Sequence, residues 1–294
     1  MPVAFRFHLF TIVALFCMLL IGILVGIALV GDPQLEKQVV HFRDLLDRKQ
    51  AHVERLTAEH QRDEQFSAAL LPILIKGRLS GRSVSVILNH DFGSDEFPDR
   101  VVAALKGAGA EVSSVTTVLD AFVNLSAEDA RSLLQSMSLQ VPVEGDLRSV
   151  LAAKLALHVA LGKPEVPSAL RKAGLVRVRG DYARADNVVV LIGGVKRGEV
   201  AAPTDIDLPM IQALQEEGIR CVGCESTSAD LSSVRFYLRT KIPTVDNAET
   251  APGQLALVLL LAGQDGNYGE KPGAIQLLPP LDALATNPSS AHSP

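Results

Sequence analysis

The residues with the clearest potential for chemistry are Cys221 and Cys224, which enclose Val222 and Gly223. A C-x-x-C pair binds soft Cu(I), supplies half of a zinc site or closes as a disulfide. The other half of a zinc site is lacking, because Cys17 lies in an apolar run and no histidine pair has ligand spacing. Since the pair spans the end of a predicted strand, a regular strand would direct the two side chains to different faces. Three interpretations stay open: two unconnected small residues, a disulfide in an exported protein, and a metal site.

Other catalytic motifs in the sequence are weak. Gly193-Gly194 follows a predicted strand, but neither G-x-G-x-x-G nor G-x-x-x-x-G-K-[ST] occurs, which favours a tight turn over a nucleotide site. G-x-S-x-G and H-E-x-x-H are lacking as well. Asp91, Asp95 and Glu96 follow the first strand, where α/β active sites lie, although carboxylates are also favoured at the start of a helix. We therefore expect no enzyme and assign no catalytic, cofactor-binding or metal-ligating residue.

Composition argues against several classes of partner. The 294 residues carry a net charge of −5, and the sequence pI is near 5.8, whereas binding to a phosphate backbone needs clustered Lys and Arg. Aromatic residues make up 4% and tryptophan is lacking, which disfavours a carbohydrate platform or a base-stacking surface. We expect no nucleic-acid partner.

Buried strands and helices alternate in the larger part of the chain. Val84 to Leu88 is a β-branched apolar run, Pro98 to Gly109 is a helix with a glycine end, and Glu111 to Val118 is the next strand. A strand, a helix and a strand in this order predict a right-handed crossover between parallel strands. Helices follow from the capping pair Ser126 and Asp129, and over 147–161. The same logic recurs later, with strands predicted at 187–193, 219–223 and 242–245 and helices at 207–218 and 252–262.

The predicted fold is therefore α/β, with a doubly wound, mostly parallel sheet in an extracytoplasmic domain over 78–280. This domain offers two halves, 78–165 and 174–280. The remaining residues, 281–294, are Ala, Ser, Asn and Pro with no core-forming pattern, and we predict a disordered tail.

A charge-free apolar run precedes this domain, from Leu9 to Val30. As a helix its 22 residues span roughly 33 Å, close to the hydrocarbon core of a bilayer. The alternative is a signal peptide, but the run exceeds the usual apolar core of about 7 to 15 residues and lacks a good cleavage site. We predict an uncleaved single-pass anchor over 9–30, in which Gly22 and Gly26 form a G-x-x-x-G spacing for helix packing.

The orientation of the anchor depends on few charges. Arg6 precedes the run, whereas Asp32 and Glu36 follow it before Lys37. The positive-inside rule then places residues 1–8 in the cytoplasm and the domain outside the cell membrane.

A heptad pattern follows the anchor over 33–75. The apolar residues are separated by threes and fours, which is typical of a coiled coil, and flanking charges keep the outer faces solvated. Lys49, His60, Asp63 and Ser67 occupy further seam positions, and His60 there could sense pH, bind metal or be a tolerated polar interruption. We favour a parallel homodimer over a monomeric helix lying on the domain, because the anchor holds two chains parallel and in register. The predicted seam residues are Leu35, Val39, Phe42, Leu46, Val53 and Leu56.

Several stretches together resemble the family named for the copper transporter MctB. The N-terminal part has Arg6-Phe7-His8-Leu9, the anchor with the stretch Gly-Ile-Leu-Val-Gly at 22–26, a coiled coil and the stretch 79–84, Leu-Ser-Gly-Arg-Ser-Val. The C-terminal part has Pro-Thr-Val-Asp-Asn at 243–247, Pro-Gly-Gln at 252–254 and Asn-Tyr-Gly-Glu-Lys-Pro-Gly-Ala at 267–274. The similarity covers nearly the whole chain.

This resemblance implies a bacterial envelope protein linked to copper handling, with copper as its potential ligand. Some relatives look like envelope or cell-division factors that pair with another membrane protein, which implies a scaffold without a metal role as the alternative. From the residues alone, a single membrane crossing encloses no pore, so transport requires oligomerisation or partners.

Overall fold

A computed structural model of the chain describes residues 3–30, 33–182, 184–186, 188–196 and 203–282. The chain divides into two compact units, Met1–Asp63 and Glu64–Pro294, and each is described by itself. The tail predicted at 281–294 lies outside the described residues beyond Asp282.

Two long helices form the N-terminal part of the chain. Helix α1 (Val3–Val30) contains one segment of 19 residues, Phe10–Ala28, that is long and apolar enough to cross a membrane, and none of that segment is buried. Helix α2 (Pro33–Ile75) begins with a proline, which is tolerated in a first turn because the missing N–H has no intrahelical partner there. The predicted N-terminal apolar helix and the long helix after it are confirmed.

The second unit contains one seven-stranded sheet in the order β3-β2-β1-β4-β5-β6-β7. Every neighbouring pair is parallel except β2 and β3, which are antiparallel. The predicted doubly wound, mostly parallel sheet is therefore confirmed, and strands from both predicted halves lie in it. The strands are β1 (Ser83–Leu88), β2 (Glu111–Val118), β3 (Val176–Gly180), β4 (Val188–Ile192), β5 (Arg220–Cys224), β6 (Thr244–Val245) and β7 (Asn267–Tyr268).

Helices cover both faces of the sheet, which explains why the central strands are continuous apolar runs. In β4, Val189 and Leu191 point to one core, while Val190 and Ile192 point to the other. Helix α6 packs on the first core, and α3 and α10 pack on the second. The helices of this unit are α3 (Phe97–Gly107), α4 (Asp120–Val123), α5 (Ala127–Ser136), α6 (Leu147–Ala160), α7 (Glu165–Lys172), α8 (Leu208–Glu216), α9 (Val234–Tyr237) and α10 (Ala251–Ala262).

Several features of this unit differ from the sequence-based expectation. Strands β3 and β7 and helices α4, α7 and α9 were not predicted, and β3 joins the edge of the sheet beside β2 through antiparallel pairing. A π-helical turn, Pro203–Asp207, precedes α8, so the regular helix begins after Asp207. The capping pair is confirmed, because the Ser126 side chain accepts a hydrogen bond from the backbone N–H of Asp129.

From β1 the chain adds β2 and β3 on one side of the sheet, and from β4 onward it adds strands on the other side. The switch point of the sheet therefore lies between β1 and β4. In open α/β sheets, ligands bind beyond the carboxyl ends of the strands at such a switch point. The polar side chains that follow β1, β5 and β6, and the glycine pair that follows β4, therefore lie at the edge where a site is expected.

Candidate functional site

The predicted seam of α2 is an exposed apolar face. Phe42 and Leu46 are 60% and 51% exposed, and Val53 and Leu56 are 60% and 48% exposed. Leu35 and Val39 lie in the same helix, but their side chains fall outside what the structure describes. Large apolar side chains repeated in heptads on one helix face and left in water are typical of a surface that meets another helix.

The glycines predicted for helix packing lie on the open surface of α1. A Cβ atom added to Gly22 or Gly26 would meet no other atom within 4 Å. The neighbouring Leu19 and Ile23 are exposed as well. This face can therefore accept a second helix or lipid without rearrangement.

The two cysteines of the C-x-x-C motif lie on opposite faces of the sheet. Cys221 belongs to the core under α6, whereas Cys224 belongs to the core under α3 and α10. Both are free thiols, and burial raises the pKa of Cys221 to about 12 and the pKa of Cys224 well above its usual value. Of the three interpretations, this geometry matches two unconnected small residues. Neutral buried thiols facing apart neither chelate one metal together nor approach disulfide distance.

A labelling experiment checks this arrangement. In a Cys17→Ser background, we expect Cys221 and Cys224 to resist a maleimide in the folded protein and both to react in denaturant without reductant. The reason is that both thiols are buried and neither is oxidised. Mass spectrometry counts the labels, and failure of both to react in denaturant would instead indicate a disulfide.

A buried polar cluster, here called the Asp207 cluster, lies at the switch point. Asp207 Oδ2 accepts hydrogen bonds from Asn89 Nδ2 at 2.8 Å and from the Tyr237 hydroxyl at 2.6 Å. Asn89 follows β1, and its amide also reaches Ser233 Oγ at 3.3 Å, which accepts from the Gly194 N–H at 3.0 Å. The cluster therefore ties the carboxyl ends of β1 and β4 to α9 and to the start of α8.

The carboxyl group of Asp207 is fully buried. Burial raises its pKa to about 7, against the opposing effect of the hydrogen bonds from Tyr237 and Asn89. Among the described residues, Asp207 Oδ1 has no hydrogen-bond partner. Burial and the neighbouring Asp207 also raise the pKa of Tyr237 well above its usual value. Asp207 thus changes charge close to neutral pH inside the protein.

A second cluster joins the C-terminal stretches that resemble the family. Lys271 Nζ lies 2.9 Å from Oε1 of the buried Glu225, and Asp246 accepts the backbone N–H groups of Glu270 and Lys271 at 2.6 and 3.0 Å. A Cβ atom on Gly269, whose φ is +137°, would come within 2.0 Å of Asp246 Oδ1. The stretches at 243–247 and 267–274 therefore pack closely against each other beyond β5 and β6, and these contacts stabilise the fold.

The loop carboxylates singled out in the sequence are surface groups. Asp91 pairs with Arg177 at 2.7 Å and Asp95 pairs with Lys196 at 2.8 Å. Asp95 also accepts the Phe97 N–H at the start of α3, as expected for a capping carboxylate, whereas Glu96 makes no cap through its side chain. These hydrogen-bonded cations lower the pKa of both aspartates.

The Gly193-Gly194 pair has a packing role at the end of β4. A Cβ atom on Gly193 would lie 2.6 Å from both Ser233 Cβ and the Tyr237 hydroxyl, and Gly194 has a φ of +84°. The tight turn predicted for this pair brings the backbone against α9 and the Asp207 cluster. The sequence did not predict the Asp207 cluster, because its pattern places Asp207 at the start of a helix and Asn89 at the end of a strand.

The described residues within one chain contain no group of three or more His, Cys, Asp or Glu side chains arranged to hold a metal ion. The clearest candidate functional surface is thus the exposed heptad face of α2, and the Asp207 cluster is the candidate polar site of the second unit.

Comparisons with known proteins match nearly the full length of the chain. The profile of the family described as "Copper transport outer membrane protein, MctB" matches residues 3–279. The chain is 24% identical over 315 residues to the copper transporter MctB of Mycobacterium tuberculosis, covering 94% of this chain and 98% of that protein. It is 24% identical over 319 residues to the copper transporter MctB of Mycobacterium leprae, covering 95% and 99%. The chain belongs to the MctB family.

Proposed function

We propose that this protein is a membrane-anchored parallel homodimer of the bacterial cell envelope that acts in copper handling and not as an enzyme. One observation carries the proposal: an exposed apolar heptad face on α2 directly follows a helix long enough to cross a membrane. Two anchored copies share one plane and one direction, so pairing of their α2 helices costs less entropy than pairing of free chains.

The topology in this proposal follows the charge asymmetry around the anchor. Arg6 before the apolar run 9–30, with Asp32 and Glu36 after it, favours an N-terminus in the cytoplasm and the α/β unit outside. An apolar helix of this length suits an uncleaved anchor in the cell membrane.

The role in copper handling is proposed from the family to which the chain belongs. The relatives carry the name copper transporter, and the family description places them in copper transport. Because one helix encloses no pore, we infer that this chain binds copper or works with a partner that moves it.

The second candidate function is an envelope or cell-division scaffold that meets another membrane protein without a metal role. The observation in its favour is the open face around Gly22 and Gly26, which a second protein's helix can approach closely. The two functions differ in whether copper binds.

Light scattering on the full chain in detergent, combined with copper and zinc titration, tests the proposal. We expect the protein mass of two chains and stoichiometric copper binding. A dimer that binds no copper would favour the scaffold, whereas a monomeric protein at micromolar concentration would contradict the proposed homodimer.

A further inference from the structure

The predicted seam of α2 becomes polar after Leu56. After Leu56, the next two seam positions are His60 and Asp63, spaced by four and three residues. Both lie in regular helix within the first unit, and both are exposed. A helix places residues three apart on one face, about 4.5 Å apart along the axis, so these two side chains belong to one local surface.

A parallel, in-register dimer places identical seam residues opposite each other. His60 would then face the same residue of a second copy, with the two Asp63 carboxylates in the next layer. Two imidazole nitrogens and two carboxylate oxygens make a four-ligand set of the kind that first-row divalent metals accept. Metal sites in helical bundles use the same device, a carboxylate and a histidine three residues apart on facing helices.

The charges around this position favour a cation. Two Asp63 carboxylates in one seam layer repel each other, and of the neighbouring residues Glu59 and Glu64 are negative while Arg62 alone is positive. Glu59 pairs with Arg55 at 3.3 Å, but both side chains are exposed, so that pair offsets little of the charge. The Val53 and Leu56 layers beside it would keep water from one side of the site and strengthen the electrostatic attraction.

We propose that His60 and Asp63 from two copies of this chain form an intersubunit site for a divalent metal, Cu²⁺ or Zn²⁺. The site rests on the proposed dimer and is incomplete in one chain, in agreement with the lack of a metal cluster among the described residues. The ligand set lacks sulfur and therefore favours Cu²⁺ over Cu(I), and Cu²⁺ binds nitrogen and oxygen ligands more tightly than Zn²⁺.

The test is a Cu²⁺ titration of the full chain in detergent, with electron paramagnetic resonance for imidazole nitrogen coupling and light scattering for mass. We expect one tightly bound Cu²⁺ per two chains. His60→Leu should weaken binding by more than about 100-fold, because losing even an outer-shell partner of a ligand costs 10- to 100-fold. The same variant should remain dimeric, since leucine is favoured in a seam.

Two further variants make the result specific. Asp63→Leu should also weaken Cu²⁺ binding and retain the dimer, whereas His41→Leu, off the seam on the same helix, should change neither. A wild-type dimer that binds no Cu²⁺, or binds it equally after His60→Leu, would overturn the metal site and leave the dimer standing. A wild-type monomer would overturn both.

Discussion

Replacing Leu46 and Val53 together by aspartate is expected to convert the dimer into monomers. Each substitution removes an apolar side chain from a seam layer, and burying such a side chain contributes about 1.5–3 kcal/mol. Four side chains are lost per dimer, and four carboxylates would face one another in pairs instead. Since each 1.4 kcal/mol is tenfold in affinity, the dissociation constant should rise by more than about a thousandfold.

The folded state of the single chain should survive this change. Leu46 and Val53 are 51% and 60% exposed in the single chain, so aspartate at either position meets water rather than a core. Light scattering on the full chain in detergent measures the mass, and circular dichroism verifies that the helices and the sheet are retained.

A matched control adds the same charges away from the seam. Ala51→Asp with Gln61→Asp places two carboxylates per chain on exposed positions of α2, outside the seam positions. This control should remain dimeric. If the seam variant also stays dimeric and still binds copper, the coiled-coil hypothesis is wrong, and another surface must join the chains.

Local sequence patterns predict much of this fold because they depend on near neighbours. The run Val188 to Ile192 is a buried strand on composition alone, and the apolar heptads of α2 specify a helix with one apolar face. The C-x-x-C motif shows that the spacing of two residues in sequence does not by itself predict whether they meet in the fold. Alternation along β5 sends Cys221 and Cys224 into different cores, so the strand geometry decides the chemistry.

Long-range packing explains what the sequence leaves out. Strand β3 carries arginines at positions 177 and 179 and joins the sheet through pairing with β2 from 62 residues earlier, which periodicity does not reveal. The burial of Asp207 also depends on long-range packing. Its environment is created by Asn89 and Tyr237, which are distant in sequence and meet only when β1 and α9 come together.

The stability of the second unit should depend on pH through Asp207, and Asp207→Asn should remove that dependence. The pKa of Asp207 is about 7 in the folded state and 3.8 for an ordinary aspartate in an unfolded chain, so the folded state binds the proton more tightly than the unfolded chain. The contribution of this proton binding to the free energy of unfolding is fully present below pH 3.8 and is lost as pH rises through 7. Three pKa units correspond to at most about 4 kcal/mol.

Denaturant unfolding of the full chain in detergent, followed by circular dichroism between pH 5 and 8, measures the effect. We expect the free energy of unfolding of the wild type to fall by a few kcal/mol across this range, and that of Asp207→Asn to fall much less. The amide oxygen at position 207 can still accept from Asn89 and Tyr237, so the variant removes the charge while keeping the cluster's geometry. Asp205→Asn, the same change at an exposed position two residues away, should leave the wild-type slope intact.

The slope also identifies which group is responsible. The Asp207 charge acts on Tyr237, which donates a hydrogen bond to it, and on Cys221 of β5, and the pKa of both groups is raised by burial and by that charge. Arg148 on α6 points to Asp205, and Glu225 pairs with Lys271. A fall in stability between pH 5 and 8 that disappears in Asp207→Asn therefore belongs to Asp207. An equal fall in both proteins would mean that Asp207 is ionised throughout and that a different group titrates, because a carboxylate already charged at pH 5 adds nothing to the slope above it.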